Sequence, residues 1–174
     1  MQALQFWKAV VVDEANMLER LIGFLESEGV RYCVIGGQAV NAYVEPLVSM
    51  DLDVVVAVGD LDRIRPLLAE RFRMQTFPHS INLTLEGSSL RAQIQTDPRY
   101  AAFVDRAERR DVLGIPLPVA RLEDVLQGKV WAALDATRRA SKRQKDLADI
   151  SRILEAHPAL REQVPEEILE RLMD

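Results

Sequence analysis

The spacing of hydrophobic residues divides the chain into helical and extended segments. Apolar residues that recur every three or four positions predict helices, because they form one apolar stripe along a helix. Short alternating or continuous apolar runs between Gly and Pro residues predict strands. The predicted helices cover residues 13–28, 38–43, 61–72, 98–107, 122–140, 143–156 and 166–173. The predicted strands cover residues 32–35, 51–58, 81–85, 90–95 and 112–117.

Turn residues refine these boundaries. Gly59-Asp60 has the composition of a cap for the helix that follows. The Gly-containing turn after residue 85 predicts that the strands on either side of it form a hairpin. Gly114 and Pro116 interrupt the strand over 112–117, and this predicts a short edge strand because proline cannot donate a ladder hydrogen bond.

The order of the elements predicts the fold class. Strands and helices are mixed up to residue 118, and only helices are predicted beyond it. The fold is therefore predicted to be α+β, with a mixed-sheet core over residues 1–118 and a helical C-terminal extension over residues 119–174. A hydrophobic content of 48% argues against wholesale disorder.

Charge and cysteine content narrow the setting of the protein. The net charge of −5 argues against a generally basic nucleic-acid binder. The single cysteine, Cys33, cannot form an internal disulfide, which favours a reducing compartment. The first residues lack a signal-peptide pattern, and no apolar run approaches the roughly 20 residues of a membrane helix. We therefore expect a soluble, cytoplasmic protein with no membrane contact.

Five basic residues nevertheless lie close together: Arg138, Arg139, Lys142, Arg143 and Lys145. A basic stripe on an acidic chain is compatible with a polyphosphate or RNA contact. A solvated helix face has the same composition, so both interpretations stay open.

The pattern with the clearest chemical meaning joins a Gly-Gly turn to two aspartates. Gly36-Gly37 follows the strand at 32–35, and Asp51 and Asp53 begin the next strand. Side chains two apart on a strand point to the same face, so the two carboxylates lie side by side and repel each other. A hard, oxygen-preferring cation such as Mg²⁺ relieves that repulsion. Since glycine lets the backbone approach a phosphate closely, the pattern predicts metal-assisted phosphoryl or nucleotidyl chemistry.

These motifs, in this order, resemble the nucleotidyltransferase superfamily of the polymerase-beta type. The Gly-Gly turn, a short helix and a Ser-x-Asp-x-Asp sequence beginning at Ser49 form the first part of the resemblance. Lys129 in one C-terminal helix and Asp146-x-x-Asp149 in the next resemble later motifs of the AbiEii-like and related minimal nucleotidyltransferases. The resemblance covers roughly residues 30–155 and implies a nucleotidyltransferase-like core whose site the helical extension completes.

The resemblance implies that the protein binds an NTP with Mg²⁺ and transfers its nucleotidyl group to an acceptor. Asp51 and Asp53 would then hold the metal, which stabilises the attacking and leaving oxygens of an in-line displacement. Gly36, Gly37 and Ser49 would lie at the triphosphate.

The same resemblance gives the helical extension a part in the site. Lys129 would pair with phosphate as a point charge. Asp146 or Asp149 would take the proton from the acceptor or complete the metal shell. Simple surface pairing is another interpretation of these acids, because Lys142 and Lys145 precede them by four residues each.

One strand departs from the pattern of active members, which commonly place a third carboxylate on a later strand of the sheet. This chain has Arg91, Gln93 and Gln95 on that strand face. Glutamine offers a carbonyl oxygen but no negative charge, and it cannot act as a base. Asp97 would supply the charge if the strand reached it, although Pro98 indicates that the strand ends. The alternative to an active enzyme is therefore a catalytically impaired nucleotide-binding or interaction module.

The acceptor itself is left open, and RNA, a protein and a small molecule are all compatible with the sequence. A third hypothesis is a toxin-like component of a toxin–antitoxin or defence system that acts on RNA or protein, and it rests on the basic residues 138–145. A homodimer is a further expectation, because a chain of this size often builds its acceptor cleft with a second subunit.

Overall fold

A seven-stranded mixed sheet and the helices around it form the structure of residues 3–172, which the computed structural model describes. The predicted α+β class is confirmed. The strands are β1 (Tyr32–Ile35), β2 (Asp51–Val56), β3 (Arg73–Phe77), β4 (Ser80–Thr84), β5 (Arg91–Gln95), β6 (Glu108–Val112) and β7 (Ile115–Val119). The helices are α1 (Ala3–Val11), α2 (Met17–Ser27), α3 (Gly36–Asn41), α4 (Val58–Arg71), α5 (Ala101–Arg106), α6 (Leu122–Leu134), α7 (Ala140–Ala156) and α8 (Glu166–Leu169). Short 3₁₀ segments cover Pro98–Tyr100 and Pro158–Gln163.

Strand β2 lies at the centre of the sheet, whose order is β3-β4-β5-β2-β1-β7-β6. It pairs antiparallel with β1 and parallel with β5. Leu52, Val54 and Val56 are all buried, as their alternation predicts. This leaves Asp51 and Asp53 on the opposite face. The predicted hairpin is also confirmed, since β4 pairs antiparallel with β5.

The expectation of a single edge strand over residues 112–117 is wrong. The segment belongs to a hairpin in which β6 forms the sheet edge and β7 lies between β6 and β1. Strand β7 tolerates its prolines because its register with β1 is limited to the pair Val34 and Val119. Strand β3, at the other edge, escaped prediction because its residues are mostly exposed and carry no apolar alternation.

Two predicted helix starts also differ from the structure. Helix α2 begins at Met17 rather than at residue 13, because Asp13 caps it from outside: the Asp13 carboxylate accepts hydrogen bonds from the backbone N–H of Met17 (2.8 Å) and Leu18 (3.3 Å). Helix α4 begins at Val58 without a side-chain cap, so Gly59-Asp60 is not its cap. The unpredicted helix α1 precedes Asp13.

The long helix predicted over residues 122–140 is broken in two. Helix α6 ends at Leu134, and Asp135 Oδ1 then accepts hydrogen bonds from Thr137 N (2.9 Å) and Thr137 Oγ1 (2.7 Å), which closes a turn. Helix α7 starts at Ala140, so Arg138 and Arg139 lie in the connecting loop. The basic residues 138–145 therefore do not form one helix face. Helix α8 ends at Leu169, and residue 173 of its predicted range lies outside the described residues.

One hydrophobic core extends across residue 118. It includes Val34 and Leu52 in the sheet, Val119 at the end of β7, and Val130 and Ile150 in α6 and α7. The division into a core and a helical extension at this residue stays a prediction. None of the helices between residues 3 and 172 has the length and apolar character needed to cross a bilayer.

The cap at Asp13 can be tested by its effect on stability. Asp13→Ala leaves two backbone N–H groups at the start of α2 without their acceptor, and Asp13 is buried. We expect the free energy of unfolding to fall by about 1–2 kcal/mol in urea denaturation. The exposed neighbour Glu14, substituted by Ala, is the control and should change stability by less than about 0.5 kcal/mol. Equal losses in both variants would show that the cap contributes nothing specific.

Candidate active site

The register of the central strands brings the predicted motifs together. In the antiparallel pair β1–β2, Ile35 lies opposite Asp53, so the Gly-Gly turn that follows Ile35 adjoins the Asp53 carboxylate. In the parallel pair β2–β5, Asp51 lies opposite Arg91 and Asp53 lies opposite Gln93. Gln93 therefore lies beside Asp53, on the strand where the family resemblance implies a third carboxylate.

The Gly-Gly turn is packed directly against the site. Gly36 has a φ of +67°, a conformation that favours glycine, and a Cβ there would overlap Asp53 Oδ2. A Cβ on Gly37 would lie 3.2 Å from Ser49 Oγ. Both glycines begin helix α3, so the helix starts earlier than the predicted residue 38. The turn thus leaves its backbone close to Asp53 with no side chain between them.

The segment before β2 is held by half-buried hydrogen bonds. The Ser49 carbonyl oxygen accepts from Trp7 Nε1 (2.6 Å) and from Gln38 Nε2 (3.2 Å). Ser49 Oγ donates to the Asp51 carbonyl oxygen at 3.3 Å. Ser49 therefore lies beside the turn, as predicted, and the unpredicted helix α1 helps to fix it through Trp7.

Asp51 is neutralised by two cations. Its Oδ2 accepts hydrogen bonds from Arg91 (2.9 Å) and from Lys142 (3.2 Å). Burial acts to raise the pKa of Asp51, but the hydrogen bond and charge of Arg91, with those of Lys142, outweigh it and hold the pKa below its ordinary value. Asp51 is therefore a carboxylate at neutral pH.

Asp53 differs from its neighbour because no Lys, Arg or His nitrogen of residues 3–172 forms an ion pair with it. Burial and the negative charge of Asp51 raise the pKa of Asp53 to about 6, against the opposing charges of Lys129, Arg138 and Lys142. The negative charge of ionised Asp53 is thus only partly balanced by the cations around it. The Asp53 side chain lies beside the Gly36 backbone and Gln93.

A cavity of about 80 Å³ opens between this face of the sheet and helix α6. Its polar lining joins the turn, the strands and the C-terminal helices, and its apolar wall is aromatic. The lining includes Gly36, Asp53, Gln93, Tyr100, Phe103, Gly128, Lys129, Arg138 and Asp146. Of the residues predicted from sequence, Asp53, Gly36, Lys129 and Asp146 therefore share one cavity. Asp97 does not line it, because its carboxylate accepts from Arg99 at the start of a 3₁₀ turn.

The predicted lysine and helix acids bind one another. Lys129 Nζ lies 3.1 Å from Asp146 and 2.8 Å from Asp149. Arg138 Nε lies 2.7 Å from the second oxygen of Asp146, and Arg152 lies 2.8 Å from Asp149. Burial acts to lower the pKa of Lys129, but the charges of Asp149 and Asp146 outweigh it and raise the pKa. Lys129 is therefore a fixed cation at the cavity wall.

The alternative of surface pairing at four-residue spacing is wrong. Asp146 pairs with Lys129 and Arg138 in place of Lys142, and Lys142 reaches Asp51 on the sheet instead. Asp146 is also almost fully buried. Sequence reasoning missed Arg91, Arg138 and Lys142 as site residues, because their partners lie on other elements.

The site fits a hard divalent cation. Within residues 3–172, no group of three or more His, Cys, Asp or Glu side chains is arranged to hold a metal ion. Asp51 and Asp53 nevertheless supply two carboxylates on one strand face, and the Gln93 amide oxygen lies on the neighbouring strand. These are the oxygen ligands that Mg²⁺ prefers, and none of the cationic side chains between residues 3 and 172 forms an ion pair with Asp53.

Because the pKa of Asp53 is raised, replacing this carboxylate by an uncharged amide is predicted to stabilise the fold, by an amount that depends on pH. The folded state holds the Asp53 proton more tightly than the unfolded state, so ionisation costs stability as pH rises from 3.8 through about 6. In metal-free buffer we expect Asp53→Asn to raise the free energy of unfolding by roughly 1 to 3 kcal/mol at neutral pH. The gain should vanish in acid, below the ordinary pKa.

Urea denaturation of parent and variant across pH, with EDTA present, measures this difference. Asp62→Asn, at an exposed position, is the control and should follow the parent at every pH. Equal stability of parent and Asp53→Asn at neutral pH would contradict the raised pKa.

Comparison with known proteins identifies the fold. No protein-family model matches the chain, and no curated protein matches it by sequence. The antibiotic-resistance factor ANT(2'')-Ia matches 88% of this chain and 93% of its own, with 9% identity and a TM-score of 0.56. The lincosamide antibiotic adenylyltransferase LnuA matches 82% of this chain and 99% of its own, with 14% identity and a TM-score of 0.56. An antigenic nucleotidyltransferase-like protein from Paracoccidioides brasiliensis matches 97% of this chain and 94% of its own, with 15% identity and a TM-score of 0.51.

At such low identity these similarities concern the fold alone, and the narrower resemblance to AbiEii-like proteins stays a prediction. They agree with the mixed sheet and the surrounding helices described above. The chain therefore has the fold of the nucleotidyltransferase superfamily.

Proposed function

We propose that this protein is a nucleotidyltransferase that transfers a nucleotidyl group from an NTP to an acceptor in a Mg²⁺-dependent reaction. The observation that supports this most directly is the environment of Asp53. Its carboxylate has no ion-pair partner among the described residues, adjoins a side-chain-free turn at Gly36, and shares a cavity with Lys129 and Arg138. An unpaired carboxylate facing fixed cations suits a ligand that brings both a metal ion and phosphate groups.

The roles of the residues follow from their surroundings. Asp51 and Asp53 would hold Mg²⁺, which polarises a phosphoryl oxygen when it is bound. Gly36 and Gly37 carry no side chain that would keep phosphate oxygens from their backbone, and Ser49 lies beside the turn.

Lys129 would bind phosphate as a point charge, and Asp146 and Asp149 support it. Both acids hold its ammonium group in place by ion pairs, at 3.1 Å and 2.8 Å. Asp146 also lines the cavity and is the better candidate of the two for accepting the acceptor's proton. In that role it would have to exchange its hydrogen bond with Lys129 or Arg138 for one with the acceptor.

A small molecule is the acceptor class that we propose. Of the structural neighbours, LnuA is described as bound to lincomycin, and ANT(2'')-Ia is described in complex with adenylyl-2''-tobramycin. The hypothesis of a toxin-like component that acts on RNA or protein is weakened, because it rested on an exposed basic stripe. Arg138 forms an ion pair with Asp146, and Lys142 forms one with Asp51. A cytoplasmic location and a homodimer stay predictions.

The metal and nucleotide site is tested by binding. We expect Asp51→Asn and Asp53→Asn each to lower the affinity for a nonhydrolysable NTP analogue in the presence of Mg²⁺ by at least roughly tenfold, measured by calorimetry. Asp62→Asn, an exposed aspartate on α4, should bind as the parent does. If both site variants kept the parent's affinity, the two aspartates would not be the metal site.

A second candidate is a nucleotide-binding module that does not turn its ligand over, and Gln93 is the observation that favours it. Gln93 lies opposite Asp53 in the sheet and supplies neither a charge nor a base. Fewer negative charges at the site weaken its hold on divalent cations and leave fewer groups to accept a proton.

Label transfer separates the two candidates. An α-labelled NTP is incubated with the parent, Gln93→Asp and Gln93→Asn in the presence of Mg²⁺ and a mixture of small-molecule, RNA and protein acceptors. For the nucleotidyltransferase we expect transfer by the parent and a rate within about tenfold for Gln93→Asn, since the amide is kept. A parent that binds Mg·NTP but transfers no label, while Gln93→Asp does, would favour the non-catalytic module.

A further inference from the structure

Lys142 joins two parts of the molecule that are distant in sequence. It lies in helix α7, and its Nζ donates to Asp51 Oδ2 on strand β2 at 3.2 Å. The same oxygen accepts from Arg91 at 2.9 Å. One carboxylate oxygen of the candidate metal site is therefore surrounded by two side-chain cations.

A divalent cation on Asp51 Oδ2 and the Lys142 ammonium compete for the same oxygen. Mg²⁺ binds carboxylate oxygens at about 2.0–2.1 Å, so a bound ion would lie within a few ångströms of Nζ. Like charges at that distance repel strongly at the edge of a protein, where water screens them only in part. Since Arg91 already takes one of the two lone pairs of this oxygen, Mg²⁺ and Lys142 compete for the other.

Of the two cations, Lys142 is the one that can leave. The Cα of Arg91 is the register partner of Asp51 on the adjacent strand, so the Arg91 side chain starts beside the Asp51 carboxylate. Lys142 reaches Asp51 from helix α7 on a flexible four-carbon stem that ends in a single ammonium group. Within residues 3–172 it has no second ion-pair partner that would hold it at the sheet.

The neighbouring cations do not have this freedom. Lys129 is held between Asp146 and Asp149, and Arg138 is held by Asp146. An ammonium group displaced from Asp51 would remain on helix α7 beside the candidate site, where the phosphates of a nucleotide would supply negative charge.

We infer that Lys142 is an exchangeable cation of the nucleotide site. It neutralises Asp51 while no metal is bound, a divalent cation displaces it, and it then pairs with the phosphate of the bound nucleotide. The second half of this inference rests on the proposed nucleotide-binding function, whereas the competition with metal does not.

Metal binding without nucleotide tests the first half. Electron paramagnetic resonance measures the affinity of the full chain for Mn²⁺ in the parent, Lys142→Gln and Lys145→Gln. Lys145 carries the same charge on the same helix, is exposed and serves as the matched control. We expect Lys142→Gln to bind Mn²⁺ about tenfold more tightly than the parent, because the competing charge is gone. Lys145→Gln should bind as the parent does, and an unchanged or weaker affinity in Lys142→Gln would overturn the competition.

Nucleotide binding tests the second half. Calorimetry measures the affinity of the same three proteins for a nonhydrolysable NTP analogue at saturating Mg²⁺. We expect Lys142→Gln to lose about tenfold while Lys145→Gln is unchanged. Tighter Mn²⁺ binding without a loss of nucleotide affinity would overturn the phosphate contact alone. A parent that binds Mn²⁺ but no nucleotide would instead overturn the proposed function.

The expected gain in Mn²⁺ affinity and loss in nucleotide affinity have opposite signs, which distinguishes them from the effect of a damaged fold. A Lys142→Gln chain that was merely destabilised would bind both Mn²⁺ and nucleotide more weakly. Lys142→Ala, which removes the stem as well, should show the same tighter Mn²⁺ binding, and a weaker affinity in both variants would count against the inference.

Discussion

The contact on which the site depends is the close approach of the Gly36 backbone to the Asp53 carboxylate. Strands β1 and β2 pair so that Ile35 lies opposite Asp53, and the chain must leave β1 at that point without a side chain. A positive φ at Gly36 then turns the backbone directly into α3. One register pair thus fixes the turn, the start of the helix and the open side of the carboxylate together.

Charge compensation gives the two aspartates different states. Arg91 and Lys142 form ion pairs with Asp51 and neutralise it. Asp53 has no such partner among the described residues, because Lys129 forms its ion pairs with Asp146 and Asp149 instead. Arg152 extends that network, since it also donates to Asn41 Oδ1 in α3 (3.0 Å). The helical half of the chain therefore fixes the cations of the site through its own carboxylates, and the sheet leaves one carboxylate unsatisfied.

The sequence is most informative where the physics is local. The alternation in β2 and the glycines of the turn act over a few residues, and both the shared face of Asp51 and Asp53 and the fold class could be predicted from them. The pairing of β2 with β5 joins residues forty positions apart, so no local pattern indicated that Arg91 would neutralise Asp51. The break at Asp135 is local as well, but it depends on one side chain, whose Oδ1 accepts hydrogen bonds from Thr137 N and Thr137 Oγ1, and the apolar pattern did not indicate it.

Strand β5 is where the charge of this site departs from one built on three carboxylates. It contributes an amide opposite Asp53 and a guanidinium opposite Asp51, so it supplies one positive charge and no negative one. With a third acid missing, a site that relied on metal ions alone would hold them weakly. Lys142 would weaken metal binding further, since it competes for Asp51, but in the proposed function it would supply positive charge to the phosphate of the nucleotide. Gln93 and Arg91 therefore act together: from one strand, they make the site more positive than a site with three carboxylates would be.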